Sequence, residues 1–522
     1  MSLTDMKIFR ARKTQRPEAL IPPSWSIGAL GGFTFLVCYL RSFHFPNVPF
    51  LLWGDALGYA TKGVRILGGE WPYRDFFDFV TPGTELVYAI IFRWIGVALW
   101  VPNLLMCFLA TLTTFWVTLC ARRLVRGNFV LLPGLLMTGF VLAGSFDATH
   151  HWFSTLFVMV AVAVLLDGIS SSRVLVAGAL CGLAGSFTQS KGAAVLLALL
   201  IYLWWKSRQG PAEGELFRGR ALHLCLAALL AFTIVNLPFL AAAGLHRWSA
   251  DLIVFPLRYF GSVSANNWHV MALEFSEKKG LLKWVCLPFL YIAVPVAYSW
   301  TFVEVWKRRK AEREEHWDQL MLLALAGAAM LIVVAPSLSM RRISCASPPA
   351  MILLVWLLSR KRRSWQIAAG GLAAISAALV LAQAAAAQLH HADQLDLPAG
   401  HVAIADARNA KVYRWMAHQT HPGQWYFGMP PYTLPLALKN PTPIEAPAPG
   451  DYSRPEQIAA ILEGLERTQT KLLLLRPPMY IPHLFGYKED HLQPFHDYLF
   501  GHYRRTRIFT TGDEVWERIR LP

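Results

Sequence analysis

From Ile27 to Gln388 the chain is a series of long apolar runs separated by short polar ones. Runs of about 18 residues or more with almost no charge read as bilayer spans, because backbone groups in lipid must be bonded within their own helix. The pattern predicts helices near 25–45, 84–98, 102–120, 129–145, 152–167, 174–188, 192–206, 221–243, 281–305, 318–336, 348–359 and 365–388. A dozen such segments in series cannot share one water-soluble core. Several are shorter than the ~20 residues that an upright span needs. Around Ser186-Phe187-Thr188-Gln189-Ser190-Lys191 the pattern fits either two spans or one broken span.

Basic clusters between the apolar runs give the sidedness. Arg10 to Arg16, Arg122 to Arg126, Lys307 to Arg313 and Arg360 to Arg363 carry the positive-inside signature and would meet anionic lipid. The first 24 residues are polar and basic, and no small-residue cleavage site follows them, so the first helix reads as an uncleaved anchor with its N-terminus inside. Twelve crossings would return the C-terminus to the inside. Arg360 to Arg363 places the last loop inside, however, so helix 365–388 must lead outward. The Arg122 to Arg126 cluster also conflicts with two full crossings between 84 and 120. One crossing is therefore miscounted, and the number is odd, 11 or 13. The expected organisation is a cytoplasmic segment 1–24, an all-α membrane domain 25–388 and a C-terminal α/β domain 389–522. Segments 46–83, 244–280 and 389–522 share the outer, periplasmic side of a bacterial inner membrane.

Composition agrees. Hydrophobic residues make up 55% of the 522 positions and charged residues 16%, against about 25% charged in soluble domains. The net charge of +16 does not indicate nucleic acid, because the basic residues sit in the loop clusters. All seven cysteines lie in or beside apolar segments and form no CxxC pair, so they read as small buried hydrophobes.

The C-terminal region alternates β-like and helical patterns. His401 to Ile404, Gln424 to Phe427 and Lys471 to Leu475 read as strands, and Asn409 to His418 and Arg454 to Arg467 as helices. This alternation predicts a small α/β sandwich with a largely parallel sheet. No GxGxxG, P-loop or His/Cys metal spacing is present in it, so it reads as a lid or docking domain.

Chemistry concentrates in outer segment 46–83. Four acids (Asp55, Glu70, Asp75 and Asp78) stand among Trp53, Tyr59, Trp71 and Tyr73. Ala56 to Leu67 has helical apolar spacing and would lie in the interface, its aromatic residues at headgroup depth. Asp55 sits where the chain leaves the membrane, and carboxylates there are costly unless paired or functional. A carboxylate at such a point suits general-base work on an acceptor hydroxyl or amine. A lipid-phosphate leaving group would need cations, and Arg258, Arg341 and Arg342 are candidates on the same side, as is Lys191 if its helix break faces outward. Plainer readings stand beside these. Asp55 suits a helix N-cap, and Asp75 and Asp78 suit pairing with Arg74 or Lys62. The adjacent His150 and His151, beside Asp147, point different ways on a helix and make a poor metal pair.

The pattern Asp55-x-x-Gly58-Tyr59, then Gly68-Gly69-x-Trp71-Pro72-Tyr73-Arg74-Asp75-Phe76-x-Asp78, then Pro82-Gly83, resembles the GT-C superfamily of membrane glycosyltransferases. Within it, the chain resembles the bacterial branch related to protein O-mannosyltransferases and lipid A aminoarabinose transferases. Weaker likenesses are Gln189-Ser190-Lys191, Met340-Arg341-Arg342 before Ser347-Pro348-Pro349, and the segment from Tyr426 to Thr442. The resemblance implies a polyprenyl-phosphate sugar donor, an acceptor glycan, lipid or protein, and an inverting general-base mechanism. It matches Asp55 to the catalytic acid and Asp78 to a second acid, with Asp75 near them. Ala56 stands where many relatives have Glu, which puts metal binding in doubt and leaves a divalent metal open as a cofactor. Val80-Thr81-Pro82 stands where Lys-Pro-Pro is common, so a donor-phosphate lysine is absent there. Two other function classes fit the hydropathy: a transporter or flippase of lipid-linked saccharides, though no internal repeat is visible, and a non-catalytic assembly partner.

Overall fold

The computed structural model describes residues 24–276, 280–308, 316–360 and 363–519. The cluster Arg10 to Arg16, residues 309–313 of the Lys307 to Arg313 cluster, and Lys361 and Arg362 lie outside the described residues.

All twelve predicted segments are helical. In chain order they are α1 (Ser24–Ser42), then, after outer-loop helix α2 (Asp55–Leu67), α3 (Gly83–Ile95), α4 (Trp100–Leu124), α5 (Phe129–Gly144), α6 (His150–Leu166), α7 (Ser171–Phe187), α8 (Gln189–Ser207) and α9 (Pro211–Ala243). A further helical stretch at 245–258 and a short helix α10 (His269–Ser276) follow. The series continues with α11 (Leu281–Arg308), α12 (Trp317–Val334), α13 (Met340–Ala346) with α14 (Pro348–Ser359), and α15 (Arg363–Leu389). Among the described residues five helices are long and apolar enough to cross a membrane, and α13 with α14, bent by 66°, makes a sixth if the pair is one span. The bend falls where Pro348 and Pro349 open α14, since proline lacks the amide that would continue α13. Small residues let α7 and α9 touch closely. A Cβ on Gly178 or Gly182 would lie 2.3 or 2.2 Å from the Leu224 or Ala228 carbonyl oxygen.

Polar contacts sort the loops onto two ends of the bundle. At one end Arg123 meets Asp167 at 2.5 Å, Lys206 meets Asp318 at 2.5 Å, and the Arg360 guanidinium lies over Trp317 and Trp356. At the other, the Gln189 amide donates to the carbonyls of Phe79 and Leu252, and Arg341 meets Asp55 and Asp147. Helix α3 explains the parity conflict. Its first residue packs on Ser186 and Phe187, and just beyond its last turn the Leu99 amide donates to the Ala399 carbonyl of the C-terminal region. Both ends of α3 therefore lie at the same end of the bundle. At 13 residues it is about 20 Å long, short of a bilayer core of about 30 Å. Without α3, eleven of the twelve predicted segments remain as candidate traverses.

The C-terminal region departs from the largely parallel sheet expected. After the short paired strands β1 (Phe43–His44) and β2 (Val48–Pro49) of the outer loop, strands β3 (Asp393–Leu397) and β4 (Gly400–Ile404) form a separate antiparallel hairpin. Its Ala403 carbonyl accepts the Leu51 amide of the outer loop at 2.9 Å. After α16 (Ala407–Gln419), the main sheet has the order β5 (Tyr426–Gly428), β6 (Leu472–Leu475), β8 (Glu514–Arg518), β7 (Tyr503–Ile508). Only β5 and β6 are parallel. They are joined through helix α17 (Pro455–Thr468), whereas a tight turn at Phe509–Asp513 joins β7 to β8 and enforces antiparallel pairing.

Candidate active site

Helix α2 carries the site. Ala56, Leu57, Tyr59, Ala60 and Gly63 form its buried face, and Gly63 admits α3 so closely that a Cβ would lie 2.7 Å from Tyr88. The chain turns into α2 through Gly54 at φ 98°, a conformation that favours glycine. Gly54, not Asp55, is therefore the N-cap, and no side chain caps the helix. Asp55, half exposed on the first turn, instead accepts from Arg341 Nη1 at 2.5 Å. The N-cap reading of Asp55 is thereby replaced by an ion pair.

Arg341 stands on α13, whose start is capped by the Ser339 hydroxyl accepting the Arg342 amide. Its Nη1 also lies 3.6 Å from Asp147 in the loop between α5 and α6. Asp147 is buried, accepts from the Ser145 hydroxyl at 3.2 Å, and keeps Oδ2 without a hydrogen bond. Burial pushes its carboxyl up, and Arg341 opposes that shift. A role for Asp147 beside Asp55 is not legible in the sequence, because the two are brought together only by α13.

Asp78 lies in a neighbouring buried cluster. It is 2% exposed, accepts from Lys62 Nζ at 2.7 Å and from the Val80 amide at 3.0 Å. Burial opposes its charge, but the Lys62 ammonium and the hydrogen bonds outweigh that and hold its carboxyl below the ordinary range. Lys62 also lies 3.8 Å from Glu445 of the C-terminal region. Glu85 is buried beside Asp78. The pairing of Asp78 with Lys62, one of the plain readings of the sequence, is the observed one. So is that of Asp75. Its carboxylate accepts from Arg74 and from the Trp71 amide, and these bonds pull its pKa down while fixing a turn.

The remaining candidates divide. Thr188 separates α7 from α8, so Lys191 opens a helix of its own at the Asp55 end. Its ammonium is buried and donates to the His151 carbonyl and to Thr155, each at 2.9 Å. Arg342 donates to the Ser337 carbonyl at 2.8 Å and lies over the Phe260 ring. Arg258 is exposed at the end of the 245–258 stretch. A Tyr59–His150 hydrogen bond of 2.5 Å ties α2 to α6.

Asp55 and Asp147 share one cation, the Arg341 guanidinium that stands between them, and a divalent ion there would take its place. A second group of metal-ligand type, Asp451, Glu489 and His491, lies in the C-terminal region, where Asp451 is already paired with Arg454 and His491.

This end-loaded helical bundle with its C-terminal domain has the GT-C fold that the sequence resemblance implied. ArnT from Cupriavidus metallidurans, a lipid A aminoarabinose transferase solved bound to undecaprenyl phosphate, is similar over 95% of this chain and 99% of its own, with a TM-score of 0.61 at 12% identity. The oligosaccharyltransferase AglB from Archaeoglobus fulgidus, in complex with an inhibitory peptide and a dolichol-phosphate, is similar over 95% of this chain and 75% of its own, with a TM-score of 0.53 at 11% identity. Its complex with Zn and sulfate gives 0.51 at 13% identity. No family model and no curated protein matches the sequence.

Proposed function

We propose that this chain is an integral-membrane glycosyltransferase that moves a sugar from a polyprenyl-phosphate donor to an acceptor glycan, lipid or protein. The observation that carries this reading is the half-exposed Asp55 paired with Arg341 at one end of a GT-C bundle. The likeness to an ArnT structure holding undecaprenyl phosphate supports the donor class.

In the mechanism, the donor phosphate draws Arg341 away from Asp55, since a guanidinium suits phosphate oxygens as well as carboxylate. Asp55, freed, takes the proton of the acceptor hydroxyl or amine as that atom attacks the anomeric carbon. The bond from that carbon to the phosphate oxygen breaks, and the lipid phosphate leaves with the electron pair and inversion at carbon. Arg341 and Arg342 stabilise its charge. Asp78, closed in by Lys62, acts through the position of α2 rather than on the sugar.

The eleven traverses support an N-terminus inside and a C-terminal domain on the same outer side as Asp55. With that orientation Arg122 and Arg123, Lys206 and Arg208, Lys307 and Arg308, and Arg360 would all lie inside, as the positive-inside pattern requires. The test is turnover of synthetic undecaprenyl-phosphate sugars by the purified protein. Release of undecaprenyl phosphate with an acceptor supports the reading. Vesicle translocation of the same lipid without transfer would instead favour a flippase.

A further inference from the structure

One residue of the C-terminal region reaches the charged groups of the site. Tyr452 closes a short helical turn, Gly450–Tyr452, and its ring is gripped by three others. Phe255 meets it edge-on with centroids 5.2 Å apart, Phe79 edge-on at 6.3 Å, and Phe260 at 6.4 Å. These come from the 245–258 stretch, from the residue after Asp78, and from the ring under the Arg342 guanidinium. The grip fixes the ring plane. Through these rings the phenol neighbours Asp78, one residue before Phe79, and Arg342, whose guanidinium lies over Phe260, and the charges of Lys62, Glu445 and Asp55 act on it.

Neighbouring tyrosine hydroxyls are committed, Tyr59 to His150 and Tyr73 to the Val80 carbonyl at 2.6 Å. The Tyr452 hydroxyl has no hydrogen-bond partner among the described residues. A half-buried phenol donor held beside charges bonds strongly to an anion that reaches it. The backbone supports the placement, because the Phe77 amide donates to the Pro443 carbonyl at 2.9 Å and docks this part of the region onto the outer loop.

We propose that Tyr452 donates a hydrogen bond to the phosphate of the lipid donor, so that the C-terminal domain supplies a group of the site as well as covering it. This rests on the functional reading above. Burial keeps the phenol protonated, which suits a donor of hydrogen bonds and not a base.

The test is Tyr452→Phe in the full-length protein, which keeps the ring and its packing. Binding of undecaprenyl phosphate and of undecaprenol to wild type and variant would be compared, along with thermal melting. The expected result is about ten-fold weaker binding of undecaprenyl phosphate, unchanged binding of undecaprenol and unchanged melting. Equal undecaprenyl phosphate binding by both proteins overturns this inference alone. So does an equal loss for undecaprenol or a lowered melting temperature, which mark a packing role. A folded wild type that binds no undecaprenyl phosphate overturns the functional reading itself.

Discussion

Arg341 joins Asp55 across 286 positions of sequence, its Nη1 2.5 Å from the carboxylate Oδ2. The pair holds the start of α2 against α13, and Asp147 waits 3.6 Å from the same nitrogen. Both partners are about half exposed, so the pair itself contributes little stability, about 0–1 kcal/mol. Its value lies in storing a base beside the cation that the leaving phosphate needs. Arg341→Lys keeps the charge but loses the fork, and is expected to lower transfer about 100-fold with melting nearly unchanged. Turnover within two-fold of wild type would remove Arg341 from the mechanism.

Lys62 and Asp78 behave oppositely. Breaking a buried pair leaves an uncompensated charge, at a cost of about 3–5 kcal/mol. Lys62→Met is therefore expected to lower the melting temperature sharply, and Lys62→Met with Asp78→Asn to recover much of the loss. The pH dependence follows from the depressed Asp78 pKa. Its stabilisation is present above the unfolded value, about 3.9, and is lost as pH falls through the folded value. Melting followed from pH 6 downward should show an acid limb that flattens in Asp78→Asn.

Asp251 lies in the 245–258 stretch, where burial and then Asp78 push its carboxyl up to about 7 while Arg247 opposes. A raised carboxyl pKa means that the folded state holds the proton more tightly. Stability therefore falls as pH rises from about 4 to the folded value of about 7. Asp251→Asn should melt higher than wild type at pH 8 and no differently near pH 4. A lower melting temperature at pH 8 would contradict this.

The position of α3 makes a labelling prediction. Val97, between α3 and α4, belongs to the same end of the bundle as Ala399. Val97→Cys should react with a membrane-impermeant thiol reagent from the side on which the C-terminal domain is found. Labelling from the opposite side would restore a twelfth crossing.

Sequence patterning located every membrane helix, because apolar runs are written in consecutive residues. It also flagged the conflict at Arg122 to Arg126, though not that α3 turns back, since a 13-residue apolar helix looks the same whether it crosses or lies at one end. Lys62 with Asp78 was legible as a nearby charge pair. Asp147 and Tyr452 were not, because each reaches the site by tertiary packing, one on the loop before α6 and the other on a turn far down the chain. The strand at His401 to Ile404 was recognised, but its partner was not, as strand pairing is set by connections and docking onto the outer loop.

The role of Asp55 as the base is tested by sugar transfer in Asp55→Asn. With purified wild type and variant supplied with the same undecaprenyl-phosphate sugars and acceptors, the variant should fold and melt as wild type does. It should still bind undecaprenyl phosphate, while turnover falls about 10²–10⁴-fold. Turnover equal to that of wild type would contradict the assignment of Asp55 as the base.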